Sequence, residues 1–519
     1  MEQAQPRRGR DRLVPVLFAV FLLIGIGARV WRFGSVPGGM NQDEAFAAYE
    51  AYCLLCTGLD SSGHPFPVYL TAWGSGMNAL ESYLMIPFIA LFGREVWAVR
   101  LPQLIVAVLS LPAAYGVLKR MADRWAGLCG MFLLAVCPWH ILLARWGLES
   151  NLAPGFLLFG LYFFLRGLDD HRFFPLSALM YGLALYCYAT IWPFVPLALL
   201  LQAGYALWCG QIRFRGRDGL WIGLSVGVLF ALALPLMLFL LVNWGVLDEI
   251  RLPFLSIPRL VVMRGGELSF SGIPGNAQRL WDILVRQSDG LHWNGTERFG
   301  LFYYVTPPFF LLGLGYAVRE AVRGLRGREP RPLGLLVIPL AMGVLQGLLI
   351  RVNVNRVNSL WIPIALLSAV GVWFLCGRIG PRGFLVPLAL YGALFVGFER
   401  YYFTEYAGEA RWSYSLEGAV EAAVAREGEI RVSPGANYAL VLFFSGQDPD
   451  EYRATVEYTN YPDAFLDVGR FGRFRFAADI GVPDRSCVYL SDSGADLALL
   501  EGAGFSVEWY GWYFVAYYE

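Results

Sequence analysis

The sequence predicts an α-helical, polytopic membrane protein of about 11 membrane-crossing helices, followed by a small α/β domain outside the bilayer. Three observations carry this. Hydrophobic residues make up 57% of the 519 and charged residues only 16%, against roughly 45–50% and ~25% in an ordinary globular chain. Apolar runs long enough to cross a bilayer recur over about the first 400 residues. Beyond them, charged and turn-forming residues increase and no run is long enough to span.

Basic residues order the spans. Arg7, Arg8, Arg10 and Arg12 precede the apolar run 13–28, which puts the N-terminus in the cytoplasm, where Arg and Lys accumulate. Arg29 and Arg32 close this run without a small-residue cleavage site, so it reads as an uncleaved span. Further spans are expected at 96–118, 125–143, 152–165, 173–193, 194–209, 220–242, 299–318, 333–350, 360–376 and 384–398. The turns carrying Lys119 and Arg120, Arg166 and Arg172, Arg213 to Arg217, Arg319 to Arg331, and Arg378 and Arg382 all fall on the side that the first span predicts.

Two long loops then lie outside, at about 31–93 and 243–298. In the first, 45–55 and 79–92 read as short amphipathic helices on the interface. The second carries arginines at 251, 259, 264, 279, 286 and 298, with one helix expected near 277–286. The expected domains are thus 1–400 in the membrane and 401–519 outside it. In the latter, 416–425 and 438–444 read as helices, and 429–432, 486–490 and 505–518 as strands.

Several functions are disfavoured. Net charge is formally zero, which argues against a nucleic-acid partner held by bulk electrostatics. Ser433-Pro-Gly435 lacks a glycine-rich phosphate fingerprint, so nucleotide binding gains little support. Cys53 and Cys56 have no second pair or histidine cluster beside them and read as packing residues, so no metal site is expected. Asn294-Gly-Thr296 matches a glycosylation acceptor, a short pattern of low specificity.

On this topology three polar groups share the outer face: Asp43 with Glu44, Arg145 with Glu149, and Arg351 with Arg356, with His140 near the second. Ionisable residues at a membrane boundary are costly and tend to mark function. Each group also has a plainer reading. Asp43 suits a helix cap, Arg145 and Glu149 have the spacing of a helical salt bridge, and Arg351 and Arg356 suit interfacial anchors. The chemistry that fits all three together is sugar transfer from a lipid phosphate. An acceptor hydroxyl needs a base, which a carboxylate supplies, and a leaving phosphate needs cations, which guanidinium matches with paired donors.

The run Asp43-Glu44-Ala-Phe-Ala-Ala-Tyr49, Thr57-Gly-Leu-Asp60, Gly63-His-Pro-Phe-Pro67, Phe92-Gly93 and Arg100-Leu-Pro102 resembles the bacterial glycosyltransferases of the GT-C superfamily. The nearest are the protein O-mannosyltransferases and the lipid A aminoarabinose transferase. Pro138-Trp-His140, Arg145, Glu149 and the stretch from Asn355-Arg356 to Pro363 are similar to the same group. The resemblance covers 31–166 best, is looser to 378, and does not extend to the C-terminal domain.

It implies a multi-span, inverting enzyme that uses a polyprenyl-phosphate sugar, with neither a nucleotide sugar nor an obligatory cofactor or metal. In such an enzyme the residue matched by Asp43 acts as or beside the general base, and the one matched by Glu149 lines the same site. Arg145 and Arg356 would meet the lipid phosphate. The lipid A enzymes carry a Glu-Lys-Pro run in the first loop, whereas Ser82 follows Glu81 here, so that lysine contact is missing.

The expectation is a cell-membrane glycosyltransferase acting on an acceptor outside the cytoplasm. Asp43 and Glu149 would be catalytic, with Glu44, His140, Arg145, Arg351 and Arg356 binding substrate. A transporter or flippase of lipid-linked sugars is the rival. Spans broken by Pro112, Pro193, Pro235 and Pro363 favour it, while the lack of paired repeats and the clustering of acids at one surface do not.

Overall fold

The computed structural model describes residues 13–212, 218–263, 268–379, 381–409, 414–477 and 480–519. The arginines at 7, 8, 10, 12, 213, 215, 217 and 264 lie outside the described residues. Among the latter, six helices are long and apolar enough to cross a membrane: Leu13–Val30, Leu101–Met121, Glu149–Asp169, Asp218–Asn243, Pro332–Leu349 and Asn358–Arg378. Each of the other expected spans also contains a helix, but a shorter or more charged one. The segment 125–143 divides into Arg124–Ala135 and Pro138–Leu143 because Pro138 opens a new helix. The segment 299–318 is displaced to Pro307–Gly327, since two prolines start it, and its last turns carry Arg319, Glu320, Arg323 and Arg326. Phe174–Ala184, Phe194–Trp208 and Leu385–Tyr401 account for the remainder.

Four helices matter for the site: α1 (Leu13–Val30), α2 (Gln42–Thr57), α3 (Glu149–Asp169) and α4 (Tyr438–Ser445). The interfacial reading of α2 is corrected by the structure. From Glu44 to Leu54 nearly every residue is buried, because Ala45, Ala47, Ala48 and Ala51 let neighbours approach on all sides. Tyr49 donates to the Gln447 carbonyl at 3.1 Å, and Ser82 Oγ donates to the Ala47 carbonyl at 2.8 Å. A hairpin of β1 (Tyr69–Leu70) and β2 (Met77–Asn78) follows α2, and a second hairpin of β3 (Ile250–Leu252) and β4 (Leu255–Ile257) lies in the second long loop.

The C-terminal region holds β5 (Glu429–Val432), β6 (Glu457–Tyr458), β7 (Val468–Phe471), β8 (Phe474–Phe476), β9 (Cys487–Ser491), β10 (Ser506–Tyr510) and β11 (Tyr513–Tyr517). They form one sheet in the order β10-β11-β9-β5-β8-β7-β6, with β5 parallel to both β8 and β9 and the other pairs antiparallel. The expected strand at 505–518 is a hairpin, turned at Gly511 with φ 62°, a conformation that favours glycine. Strands β6 to β8 escape sequence reading because each is two to four residues long.

This sheet does not stand apart from the membrane body. Ala45, Tyr49 and Cys53 of α2 share one hydrophobic core with Leu416, Val441, Phe471 and Val488. Arg453 donates to the Asp60 carbonyl at 3.0 Å and to Thr57 Oγ1 at 3.3 Å. Beneath that contact, Glu50 is fully buried and accepts from Ser61 N at 2.8 Å and Ser61 Oγ at 2.5 Å.

Burial, and behind it the negative charge of Asp60, push the Glu50 carboxyl up to about 8. Between its ordinary value of 4.5 and about 8 the folded chain keeps a proton that the unfolded chain has lost, so stability falls as pH rises through that window. Glu50→Gln is expected to raise the thermal midpoint above wild type near pH 8, with the difference shrinking toward pH 5. Thermal melts across this range check it.

Candidate functional site

The site grows from the start of α2. Asn41, in extended conformation (φ −76°, ψ 147°), caps this helix: its side chain accepts from Asp43 N at 2.9 Å, and Glu44 Oε2 reaches back to Asn41 N at 3.2 Å. This is a capping box. The capping role that Asp43 suited thus belongs to Asn41, and the Asp43 carboxylate is left on an exposed first turn.

Glu44 turns the other way. It is fully buried and accepts from Arg100 Nε at 2.6 Å, Arg100 Nη2 at 2.9 Å and Gly147 N at 2.8 Å. Arg100, also fully buried, donates further to the Pro37 and Gly39 carbonyls. A Cβ at Gly147 would sit 2.9 Å from Glu44 Oε1, so glycine is what allows this approach. The geometry is that of a paired, fully hydrogen-bonded buried ion pair.

Glu149 opens α3, where a carboxylate suits the helix N-terminus. Its Oε2 accepts from Asn78 N at 2.5 Å, tying α3 to the β1–β2 hairpin. Arg356 lies on a turn braced by side chains. Its carbonyl accepts from Thr190 Oγ1 at 3.1 Å and Gln346 Nε2 at 2.7 Å, and its N–H donates to Asn353 Oδ1 at 2.8 Å. Asn355 Nδ2 and Asn358 Nδ2 reach Ser150 at 3.3 and 3.0 Å, holding this turn against the start of α3.

Asp43, Glu149 and Arg356 line one cavity of about 950 Å³. Its other walls are rich in aromatic and amide side chains, among them Tyr69, Trp73, Trp192, Asn353 and Asn355. The second long loop contributes Trp244, Met263 and Trp293, and the C-terminal domain contributes Asn437, Tyr438, Phe465 and Asp467. Concave sites with apolar walls and a few polar groups are the usual form of ligand pockets.

The other expected substrate contacts lie elsewhere. Arg145 is fully buried and wraps the end of α1, donating to the carbonyls of Ala28, Arg29, Trp31, Arg32 and Val36 at 2.6–3.2 Å. A cation there satisfies the last helix carbonyls and the negative end of the dipole. His140 is buried against Arg29, 2.7 Å from its Nη2. Neither lines the cavity, nor does Glu44. Arg351 is exposed and outside the cavity lining, and Glu81 is buried against Gln103.

Cys53 and Cys56 form no disulfide, and no group of three or more metal-ligating side chains occurs among the described residues. Asn294 of the glycosylation pattern is buried and donates to Asp289 at 2.6 Å.

Residues 80–244 match the family of dolichyl-phosphate-mannose-protein mannosyltransferases. In structure, the chain resembles ArnT from Cupriavidus metallidurans in the apo state, with a TM-score of 0.54 at 14% identity over 98% of both chains. The same protein bound to undecaprenyl phosphate gives 0.53 at 15% identity over 98% of both chains. The archaeal oligosaccharyltransferase AglB from Archaeoglobus fulgidus, in complex with an inhibitory peptide and a dolichol-phosphate, gives 0.51 at 13% identity. That likeness covers 84% of this chain and 64% of AglB, so the chain spans less than two thirds of that protein. No curated protein sequence matches. The chain has the GT-C fold.

Its spanning helices make the protein integral to the membrane, and the cavity lies at the ends of α3 and of the helices Asp218–Asn243 and Pro332–Leu349. The likeness to ArnT covers 98% of the chain and so takes in the C-terminal sheet, where the sequence motifs of the superfamily give out.

Glu44 and Asp43, adjacent in sequence, are expected to respond oppositely to substitution. Glu44→Ala leaves Arg100 buried without its partner and should cost roughly 3–5 kcal/mol. Asp43→Asn should leave the thermal midpoint within a degree or two of wild type, as roughly expected of an exposed position. Parallel melts of the two variants check this.

Proposed function

We propose that this protein is a membrane glycosyltransferase that moves a sugar from a polyprenyl phosphate to an acceptor of the cell envelope, with inversion, on the extracytoplasmic face. The observation that carries this reading is the meeting of Asp43, Glu149 and Arg356 in one aromatic-walled cavity at the ends of membrane-crossing helices. The basic residues between spans support the outer location of that cavity. On the same reading, residues 1–400 are the transferase body and 401–519 an outer domain.

The chemistry follows from the three side chains. The Asp43 carboxylate takes the proton from an acceptor hydroxyl as its oxygen attacks the anomeric carbon. The bond from that carbon to the phosphate oxygen breaks, and polyprenyl phosphate leaves with the bonding pair. Arg356 pairs with the phosphate and stabilises the charge it gains. Glu149, fixed by Asn78 N, positions the sugar or acceptor through its remaining acceptor sites.

A path for the lipid adjoins Arg356. A narrow cleft lined by Leu157, Leu161, Ile191, Leu336 and Ile362 lies among the spanning helices, with Ser359 in its wall. Ser359 Oγ donates to Gln346 Oε1 at 2.5 Å, and Gln346 in turn holds the Arg356 carbonyl. An apolar tail in the cleft would therefore end near the turn that carries Arg356.

With purified protein and a panel of polyprenyl-phosphate sugars, Asp43→Asn is expected to lower transfer by about 100-fold or more while binding of polyprenyl phosphate persists. Equal transfer by wild type and variant would refute the assignment of the base. Leu157→Trp, which fills the cleft, should instead weaken lipid binding at unchanged fold stability, read by titration with undecaprenyl phosphate.

A further inference from the structure

The stretch from Trp73 to Asn78 runs from the turn after β1 through β2 and carries three polar atoms that the fold leaves without partners: Trp73 Nε1, Ser75 Oγ and Asn78 Oδ1. All three residues line the cavity, and Ser75 and Asn78 are only 5% and 2% exposed. Buried polar groups are nearly always hydrogen-bonded, and an orphan destabilises the fold. Three orphans within six residues, in the wall of one cavity, call for a ligand that supplies what the protein withholds.

The backbone of this turn is set for that purpose at some cost. Trp73 itself has φ 60°, a left-handed conformation that a bulky residue rarely adopts. Gly74 and Gly76 have φ 87° and 86°. A Cβ on Gly76 would lie 2.4 Å from the Tyr69 ring, and one on Gly74 would lie 2.7 Å from the Asp463 carbonyl. The turn is gripped from both sides: Leu466 N donates to the Trp73 carbonyl at 2.9 Å, and Val262 N to the Gly74 carbonyl at 3.1 Å. The Trp73 ring is held by Phe46 at 4.9 Å and Tyr438 at 5.2 Å between centroids. The C-terminal domain is thus half of the clamp.

We infer that the Trp73–Asn78 turn is a hydroxyl-binding element for a sugar ring, positioned by the C-terminal domain. An indole donor, a hydroxyl that both donates and accepts, and an amide acceptor together match vicinal hydroxyls, each of which does both. A phosphate fits this stretch poorly, because Asn78 Oδ1 can only accept and so can an ionised phosphate oxygen. The inference rests on the glycosyl-transfer reading, and the ring belongs either to the donor or to the acceptor.

The test is binding, which needs no turnover and so separates this inference from the reaction itself. Wild type, Ser75→Ala and Trp73→Phe are placed in lipid nanodiscs, where no detergent glycoside competes. They are titrated with undecaprenyl phosphate, with undecaprenyl phosphate carrying mannose, glucose or galactose, and with the methyl glycosides of the same sugars. Either variant should bind at least one sugar-bearing probe about tenfold more weakly than wild type and bare undecaprenyl phosphate equally well. Loss confined to the glycosylated lipid assigns the ring to the donor, and loss confined to the methyl glycosides assigns it to the acceptor. Binding of every probe at wild-type affinity by both variants would overturn the inference. Absence of transfer by wild type from every polyprenyl-phosphate sugar would instead overturn the reaction reading and leave this result standing.

Discussion

The buried ion pair between Glu44 and Arg100 is the constraint on which the cavity depends. It is expensive to bury two charges, and only a nearly complete set of hydrogen bonds offsets that. Arg100 meets it with two carbonyls besides Glu44, and Glu44 with two backbone N–H groups besides Arg100. The pair thereby joins the loop before α2, the start of the helix at Leu101 and the loop before α3. With Glu44 turned inward and Asn41 taking the cap, Asp43 stands on the cavity side of the first turn. The Asp43 carboxylate and the start of α3 are fixed relative to each other by the same few bonds.

Arginine does similar work below. Arg29 and Arg145 wrap the ends of apolar helices with their guanidinium groups, satisfying carbonyls that lipid cannot. Single arginine side chains thus replace polar loops that a membrane protein has little room for. Above, the C-terminal sheet shares its core with α2 and closes the cavity through Tyr438, Phe465 and Asp467. The outer domain is a wall of the cavity, which ties the first loop's geometry to residues almost 400 positions away.

Much of this was legible in the sequence. The apolar runs located all six helices that, among the described residues, are long and apolar enough to span, and the charge pattern of the loops grouped Asp43, Glu149 and Arg356, which line one cavity. What pattern could not give was direction. Glu44, His140 and Arg145 are ionisable residues at the right depth, yet they face carbonyls and other charges rather than a cavity, a distinction made by contacts over 100 positions apart. The burial of α2 was missed because an alanine-rich helix carries little amphipathic signal. The C-terminal domain's share of the cavity wall was missed because Phe465 and Asp467 lie on the connection between β6 and β7, strands too short to register. The glycines of Trp73-Gly-Ser-Gly76 are legible as a turn signal, but only the unpartnered atoms of this stretch make it a candidate for binding.

On the proposed reaction, one cavity holds both the base and the phosphate-binding cation. The most direct measurement is a structure of the protein in nanodiscs with bound undecaprenyl phosphate. The phosphate is expected against the Arg356 guanidinium, inside the cavity lined by Asp43 and Glu149, with the tail descending past Leu157 and Ile362. A phosphate bound elsewhere, with the cavity of Asp43 and Arg356 closed to lipid, would contradict it.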